Sequence, residues 1–400
     1  MLKLASVTAI EMRYPFTRIY GEGNVPRELL SPASHFQKIK RTGQTATLVV
    51  ITDQDGVKGF GECFGLPSPG PACHIVNEVI APALAGAEVA SPEEALVEFC
   101  RYFTALGNSR GPAMEALAGV DIALWDLLSK RAGKPLAAML GGDVRPVPVY
   151  ASPVPFTASP EDSAARALAF IDQGYKALKL KIGRGVGADI SHIRAIREAI
   201  PPEAALMLDA NCGYQRNEAL ELIDQLAPYD IAWLEEPVEP EDFETLRLLC
   251  ERAPFPIGGG ENDFTQPAFE RLVDLGVAFL QPNVTRIGVS GMRRLSALAA
   301  RVDVDVALHG VGTSIGVATA LHCCAALPRL SLFERNHLIN PMRDDVGVAL
   351  SVDGNGCILP PAGIGHGGTP HPVPSREVHD EAIRHALHES AGYRTGETIE

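Results

Sequence analysis

Between residues 145 and 335 one pattern recurs: a short apolar segment, a polar turn, then a stretch with helical spacing of its apolar residues. The segments are VPVYAS, YKALKLKI, ALMLDA, IAWLEE, PIGGGE, AFLQPN, VDVALH and LSLFER. Eight such units about 25 residues apart are what a closed parallel (β/α)8-type barrel requires, with a helix between each pair of strands. An open doubly wound sheet competes, but no Gly-rich nucleotide loop follows the first strand. Gly183, Gly185 and Gly187 follow the second strand and lack the dinucleotide spacing. The first helix is legible at both ends: Ser159 caps it, Pro160 takes its first position and Gly174 lies beyond its end.

The barrel accounts for residues 143–345. Residues 1–142 read as a separate α+β domain, strands first and helices after. TATLVVITDQDGVKGFGEC is a hairpin turning at Asp55–Gly56. MEALAGVDIALWDLLSKRAG is a helix, with apolar residues at Leu117, Val120, Leu124, Leu127 and Leu128, stopped by Gly133–Lys134–Pro135. Residues 346–400 are Pro- and Gly-rich, then polar and helical, and are expected to pack back on the first domain.

A net charge of −14 without a basic stripe argues against nucleic acid and against anionic membrane as partners. No apolar run reaches membrane-spanning length. Glu11 and Arg13 interrupt the place where an export signal needs its apolar core, so a cytoplasmic location is expected. The eight cysteines form no CxxC pair and are expected to be free thiols, with little case for zinc.

In a barrel of this kind the chemistry sits at the C-terminal ends of the strands. The polar residues there are Lys179 and Lys181 on the second, Asp209 and Asn211 on the third, and Glu235–Glu236 on the fourth. Glu261–Asn262, Gln281 and Asn283, His309 and Glu334 follow on the fifth to eighth. Lys179 and Lys181 share one strand face, so their ammonium groups stand about 7 Å apart. Mutual repulsion and lost hydration are expected to lower both pKa values, which would make a base near neutral pH. Carboxylates on three consecutive strands converge and repel unless a cation lies among them. Oxygen-only donors suit Mg²⁺, with Mn²⁺ as the alternative.

These residues carry a resemblance. ALAGVDIALWDLLSKRAGKPLAAMLGG, the KLK strand, LDAN, WLEEP, GGGEN, QPN, the histidine of the seventh strand and the final FER together resemble the enolase superfamily, in its mandelate racemase/muconate lactonizing enzyme family. The match runs over nearly the whole chain. It implies a modified TIM barrel whose mouth is closed by the N-terminal domain, completed by the C-terminal segment. It also implies Asp209, Glu235 and Glu261 as metal ligands, and Lys181 as general acid/base supported by Lys179. Abstraction of a proton alpha to a carboxylate would then give an enediolate, the chemistry general principles ascribe to this superfamily. Tyr20, Glu22 and His35 fall where a specificity loop would lie.

One position departs from the pattern. Mandelate racemase-like members pair the strand-seven histidine with an aspartate at the end of strand six, and here Asn283 stands in that place. Asparagine can hold the imidazole but cannot stabilise imidazolium by charge, so His309 is expected to be a poor base and to help a leaving group depart or to touch substrate. Asn211, Asn283 and Glu334 are expected substrate contacts, and an ion pair of Glu334 with Arg335 or Arg343 is an equal alternative. Loss of a β-oxygen from an acid sugar is therefore expected, by an acid-sugar dehydratase or an aldarolactone cycloisomerase. The alternatives are a racemase or epimerase using Lys181 and His309, and a catalytically silent sugar-acid-binding homologue. The expected partners are a small carboxylate substrate and further copies of this chain, from dimer to octamer.

Overall fold

The computed structural model describes residues 2–26, 29, 33, 36, 38–346 and 350–372. His35 and the polar end of the chain, expected to be helical, lie outside the described residues.

Strands β1 (Leu2–Pro15), β2 (Gly43–Asp53), β3 (Lys58–Cys63) and β4 (Glu88–Val89) form one antiparallel sheet in the order β3-β2-β1-β4. The Asp55–Gly56 turn closes the β2–β3 hairpin, with Gly56 in the left-handed region at φ 84°. Between β1 and β2 lies the single helical turn α1 (Phe16–Tyr20), so Tyr20 ends a helix and Glu22 follows it, exposed. Helices α2 (Gly70–Ile75), α3 (Ala81–Leu84), α4 (Pro92–Ala105), α5 (Pro112–Arg131) and α6 (Leu136–Met139) complete this domain, with a π turn over Val76–Ile80. Pro112 opens α5, and Lys130 and Arg131 sit favourably in its last turn.

Helix α5 is buried on nearly every side, because the sheet covers one face and the barrel the other. The sheet approaches so closely only because β3 carries glycines. A Cβ at Gly61 would lie 1.9 Å from Gly119 O, and one at Gly59 would lie 2.2 Å from Ala123 O.

The barrel alternates strictly. Its strands are β5 (Val147–Val154), β6 (Ala177–Lys181), β7 (Ala205–Asp209), β8 (Ile231–Glu235), β9 (Ile257–Gly259), β10 (Phe279–Leu280), β11 (Asp305–Leu308) and β12 (Leu330–Asn336). Between them run α7 (Pro160–Asp172), α8 (Val186–Ala199), α9 (Arg216–Leu226), α10 (Phe243–Arg252), α11 (Gln266–Asp274), α12 (Val284–Val302) and α13 (Ser314–Ala326). Parallel pairing of β12 with β5, Phe333 opposite Val149 through Asn336 opposite Ser152, closes the cylinder. The helix after β12 is one turn only, α14 (Pro341–Asp344). The predicted start of α7 holds: Ser159 Oγ accepts from Asp162 N at 3.1 Å.

Strand alternation sorts the side chains into two cores. Leu178, Leu180, Leu206, Leu208, Leu234 and Leu308 pack outward against the helices. Tyr150, Ala177, Met207, Trp233 and Ala307 fill the barrel interior. Lys179 and Lys181 continue the interior row above Ala177. The chain then returns. Strand β13 (Cys357–Ile358) pairs antiparallel with β5, and farther on Gly365 O accepts from Leu136 N at 2.8 Å. His366 N donates to Asp126 Oδ1 and His366 Nε2 to Phe60 O. The C-terminal segment thus touches both the barrel and the first domain. Among the described residues no helix is long and apolar enough to cross a membrane, and all eight cysteines are free thiols.

Candidate active site

The expected residues meet at one end of the barrel. Asp209 and Glu235 are the last residues of β7 and β8, and the parallel register sets Lys181 opposite Asp209 and Asp209 opposite Glu235. Glu261 stands two residues past the end of β9, which stops at Gly259, and Gly260 turns the chain with φ 113°. One carboxylate oxygen from each of Asp209, Glu235 and Glu261 lies within 4.8 Å of the other two.

Both lysines point into this cluster. Lys179 Nζ is fully buried and contacts Glu235 Oε2 at 2.7 Å, Asp209 Oδ2 at 3.2 Å and Glu334 Oε1 at 3.3 Å. Lys181 Nζ bonds Asp209 Oδ2 at 2.5 Å and keeps 30 % of its side chain exposed. The expected fall in lysine pKa is not found here. Burial does disfavour the charge, but the surrounding carboxylates outweigh it and hold both lysines above the ordinary value. The same fields act in reverse. Burial would raise Asp209 and Glu334, yet Lys181 and Lys179 pull Asp209 down, and Lys179 with His309 brings Glu334 to about 2. Burial and the neighbouring Asp209 push Glu235 up to about 8.

The donor set fits a divalent cation. Glu235 Oε1 is buried and accepts no hydrogen bond, and Glu261 Oε2, also buried, has the His309 ring nitrogen 3.2 Å away. A buried carboxylate oxygen without a donor, beside two further carboxylates, is costly unless it faces a cation. All three side chains offer oxygen, the donor chemistry that suits Mg²⁺. Gln281 Nε2 donates to Glu235 Oε2 at 2.5 Å and fixes that carboxylate from the side.

His309 enters from across the mouth, at the end of β11. Its Nε2 lies 3.2 Å from Glu261 Oε2 and 3.7 Å from Glu334 Oε2. Asn283 holds the other ring nitrogen. Asn283 Oδ1 accepts from Thr285 N at 2.8 Å and from Thr285 Oγ1 at 2.7 Å. Its Nδ2 therefore faces Val311 O at 3.2 Å and His309 Nδ1 at 2.9 Å. An amide nitrogen only donates, so His309 Nδ1 must accept and the ring proton lies on Nε2. Burial also lowers the imidazole pKa. The neutral Nε2–H form is what this pocket selects.

Two expected substrate contacts change character. Every polar atom of the Asn283 side chain is used, in the cap of α12 and the hold on His309. Glu334 pairs with Lys179 and accepts from Gly310 N at 3.0 Å, whereas Arg335 and Arg343 turn to Asp344. Glu334 is 1 % exposed, so it serves the lysine and the strand-seven loop. The Asn211 backbone N–H donates to Asp209 Oδ1 at 2.9 Å, from a residue at φ 43°. Asn262 Nδ2 donates to Glu236 Oε1 at 3.0 Å, tying the second glutamate of the pair beside the cluster.

Some participants had no sequence signal. Tyr150 places its ring 5.4 Å below Lys179 Nζ. Phe64, from the first domain, brings its ring centroid within 6.4 Å of that of His309. Tyr150 belongs to an apolar strand that reads as core, and Phe64 to the turn that follows β3.

Comparison with known proteins gives the family. Residues 162–372 match the enolase C-terminal domain-like family, and residues 29–141 match the mandelate racemase/muconate lactonizing enzyme N-terminal domain. D-galactarolactone cycloisomerase of Agrobacterium fabrum is 33 % identical over 339 residues, covering 80 % of this chain and 87 % of that protein. L-talarate/galactarate dehydratase of Salmonella typhimurium is 30 % identical, covering 73 % of each. The crystal structure of a racemase from Streptomyces coelicolor with bound magnesium superposes with a TM-score of 0.79 at 27 % identity, covering 92 % of this chain and 97 % of that one. The barrel, its cap and these two domain matches place the chain in the mandelate racemase/muconate lactonizing enzyme family of the enolase superfamily.

Proposed function

We propose that this protein is a Mg²⁺-dependent enzyme that removes the α-proton of an acid sugar through Lys181 and expels a β-oxygen. The substrate is an aldonate, an aldarate or a lactone of one, and the reaction is a dehydration or a lactone cycloisomerisation. The observation that carries the reading is the asymmetry of the two faces. A lysine stands on one side of a three-carboxylate cluster, and a histidine set to donate from Nε2 stands on the other. Relatives named as a cycloisomerase and a dehydratase of acid sugars support the same class.

Asp209, Glu235 and Glu261 would hold the cation. Mg²⁺ there would stabilise negative charge developing on the substrate carboxylate and offset the carboxylate field that keeps Lys181 charged. Lys181 takes the α-proton. The C–H electron pair then forms the carbon–carbon double bond as the β-oxygen leaves. His309 Nε2–H gives that oxygen a hydrogen bond while charge builds on it. Neutral imidazole serves here as a donor, not as the proton source, because losing Nε2–H would leave imidazolate. The ammonium formed at Lys181 gives its proton back to solvent, which neutralises a departing hydroxide (a lactone oxygen leaves as carboxylate and needs none). The enol left behind takes a proton at the β-carbon and loses its hydroxyl proton to become the 2-keto acid. Lys179, sealed among Asp209, Glu235 and Glu334, keeps the three carboxylates from repelling one another.

Racemisation would ask His309 to accept a proton at Nε2. The imidazolium would then carry a proton on Nδ1 as well, facing the Asn283 amide N–H. The test is a library of aldonates, aldarates and their lactones assayed for 2-keto acid with Mg²⁺. Lys181→Ala should lose about 10³-fold in turnover of whichever compound reacts. A loss smaller than tenfold would remove Lys181 from the role of base.

A further inference from the structure

We infer that Glu62, in the N-terminal domain, is a positioning residue for His309 in the barrel. Glu62 lies near the end of β3 and is 3 % exposed. Its strand pairs within the cap sheet, yet its carboxylate is spent on the barrel. Thr313 N donates to Oε1 at 2.9 Å and to Oε2 at 3.1 Å. Thr313 Oγ1 donates to Oε2 at 2.6 Å, and Gly316 N donates to Oε2 at 2.8 Å. The acceptor thus closes the first turn of the thirteen-residue α13, where unpaired N–H groups and the helix dipole favour a negative charge. A Cβ at Gly316 would stand 2.8 Å from Glu62 Oε2, so the fit depends on glycine there.

Only four residues separate β11 and His309 from α13, and each turn of that path is clamped. Gly310 N donates to Glu334, and Val311 O accepts from Asn283. Gly312 O accepts from Asn340 Nδ2 at 3.1 Å. Thr313 belongs to Glu62. Three clamps come from the barrel and the fourth from the cap. The cap touches the second support of His309 as well. Phe64 N donates to Thr285 O at 3.2 Å, beside the Asn283–Thr285 turn that orients the imidazole. Seating the cap and placing the imidazole are one event, with Glu62 as the link. The importance of that placement for turnover rests on the reading of His309 as donor to the departing oxygen; the placement itself does not.

The test is Glu62→Gln, which keeps the size but sets an amide N–H against the donors of α13. Long-range proton–nitrogen spectra of ¹⁵N-histidine-labelled protein, with His309 identified by its loss in His309→Asn, read the ring directly. Glu62→Gln should shift and broaden the His309 ring signals and leave those of His322 and His366 in place. Amide hydrogen exchange over residues 310–316 should quicken about tenfold, without change over 182–185. Unmoved His309 signals in a folded variant overturn the inference, as does a shift of all three histidines together. If Glu62→Gln does not fold, Thr313→Val, which removes one donor to Glu62, is read in the same way. Turnover of galactarate separates the two claims. If the ring moves and an existing turnover is unaffected, the placement stands and the role given to His309 falls.

Discussion

The amide of Asn283 presents Nδ2 to His309 because Thr285 already occupies Oδ1 twice. That orientation puts the ring proton on Nε2, facing the carboxylate cluster. An aspartate at the same position has only acceptors, so it would draw the proton to Nδ1 and leave a lone pair on Nε2. Its charge would also favour imidazolium. Asn283→Asp should therefore raise deuterium incorporation at the α-carbon from the His309 face by about tenfold or more, read by the stereochemistry of exchange. No rise would mean that this face takes no part in proton transfer. The departure and the weaker base it implies were legible in sequence, but the tautomer of His309 was not. It depends on which amide atom faces the ring, and Thr285 and Val311 decide that. The lysines teach the same lesson in reverse. Strand periodicity correctly put Lys179 and Lys181 on one face, whereas the direction of their pKa shift depended on four carboxylates brought in from β7, β8, β12 and the turn after β9.

Elements were more legible than contacts. Strand positions, the Ser159 cap, the hairpin turn and the end of α5 all follow from local chemistry, which reaches over a few residues and leaves a mark in the sequence. What no local rule reaches is the pairing of Glu62 with Thr313, separated by 251 residues. The GFGE run reads as an ordinary strand end, yet its glycines set how near the sheet comes to α5. Gly61→Ala places a methyl group 1.9 Å from Gly119 O, a backbone atom that cannot rotate away. Sheet and helix must separate, at a cost of about 3 kcal/mol. A urea midpoint lowered accordingly is expected, and an unchanged midpoint would mean that the cap tolerates a wider spacing. Because β3 also delivers Glu62, the same change should disturb the strand-seven loop.

At the scale of the whole molecule, cap and barrel close over each other through buried charge as well as apolar surface. Arg286, on α12, stacks its guanidinium 3.9 Å over the Phe64 ring and 5.2 Å from that of Phe264. Glu115, on α5, stands 3.8 Å away, 6 % of its side chain exposed. Burial pushes the Glu115 carboxyl up to about 7, and Arg286 only partly offsets it. The sign of the consequence follows from proton counting. Between about pH 4.5, where the unfolded carboxyl ionises, and pH 7, the folded protein keeps a proton that the unfolded chain has released. Stability from this group is complete below that window and is lost as pH rises through it. Glu115→Gln stays neutral throughout and should escape the loss. Its melting temperature relative to the native protein should rise from pH 4.5 to pH 7.5, by the equivalent of at most about 3 kcal/mol. Arg286 is the charge facing this group, and Cys63 is the neighbouring thiol. The thiol is driven far above its ordinary pKa by burial and stays neutral across the window. A difference between the two proteins that does not vary with pH would show that the closed interface holds Glu115 ionised, paired with Arg286, at every pH tested.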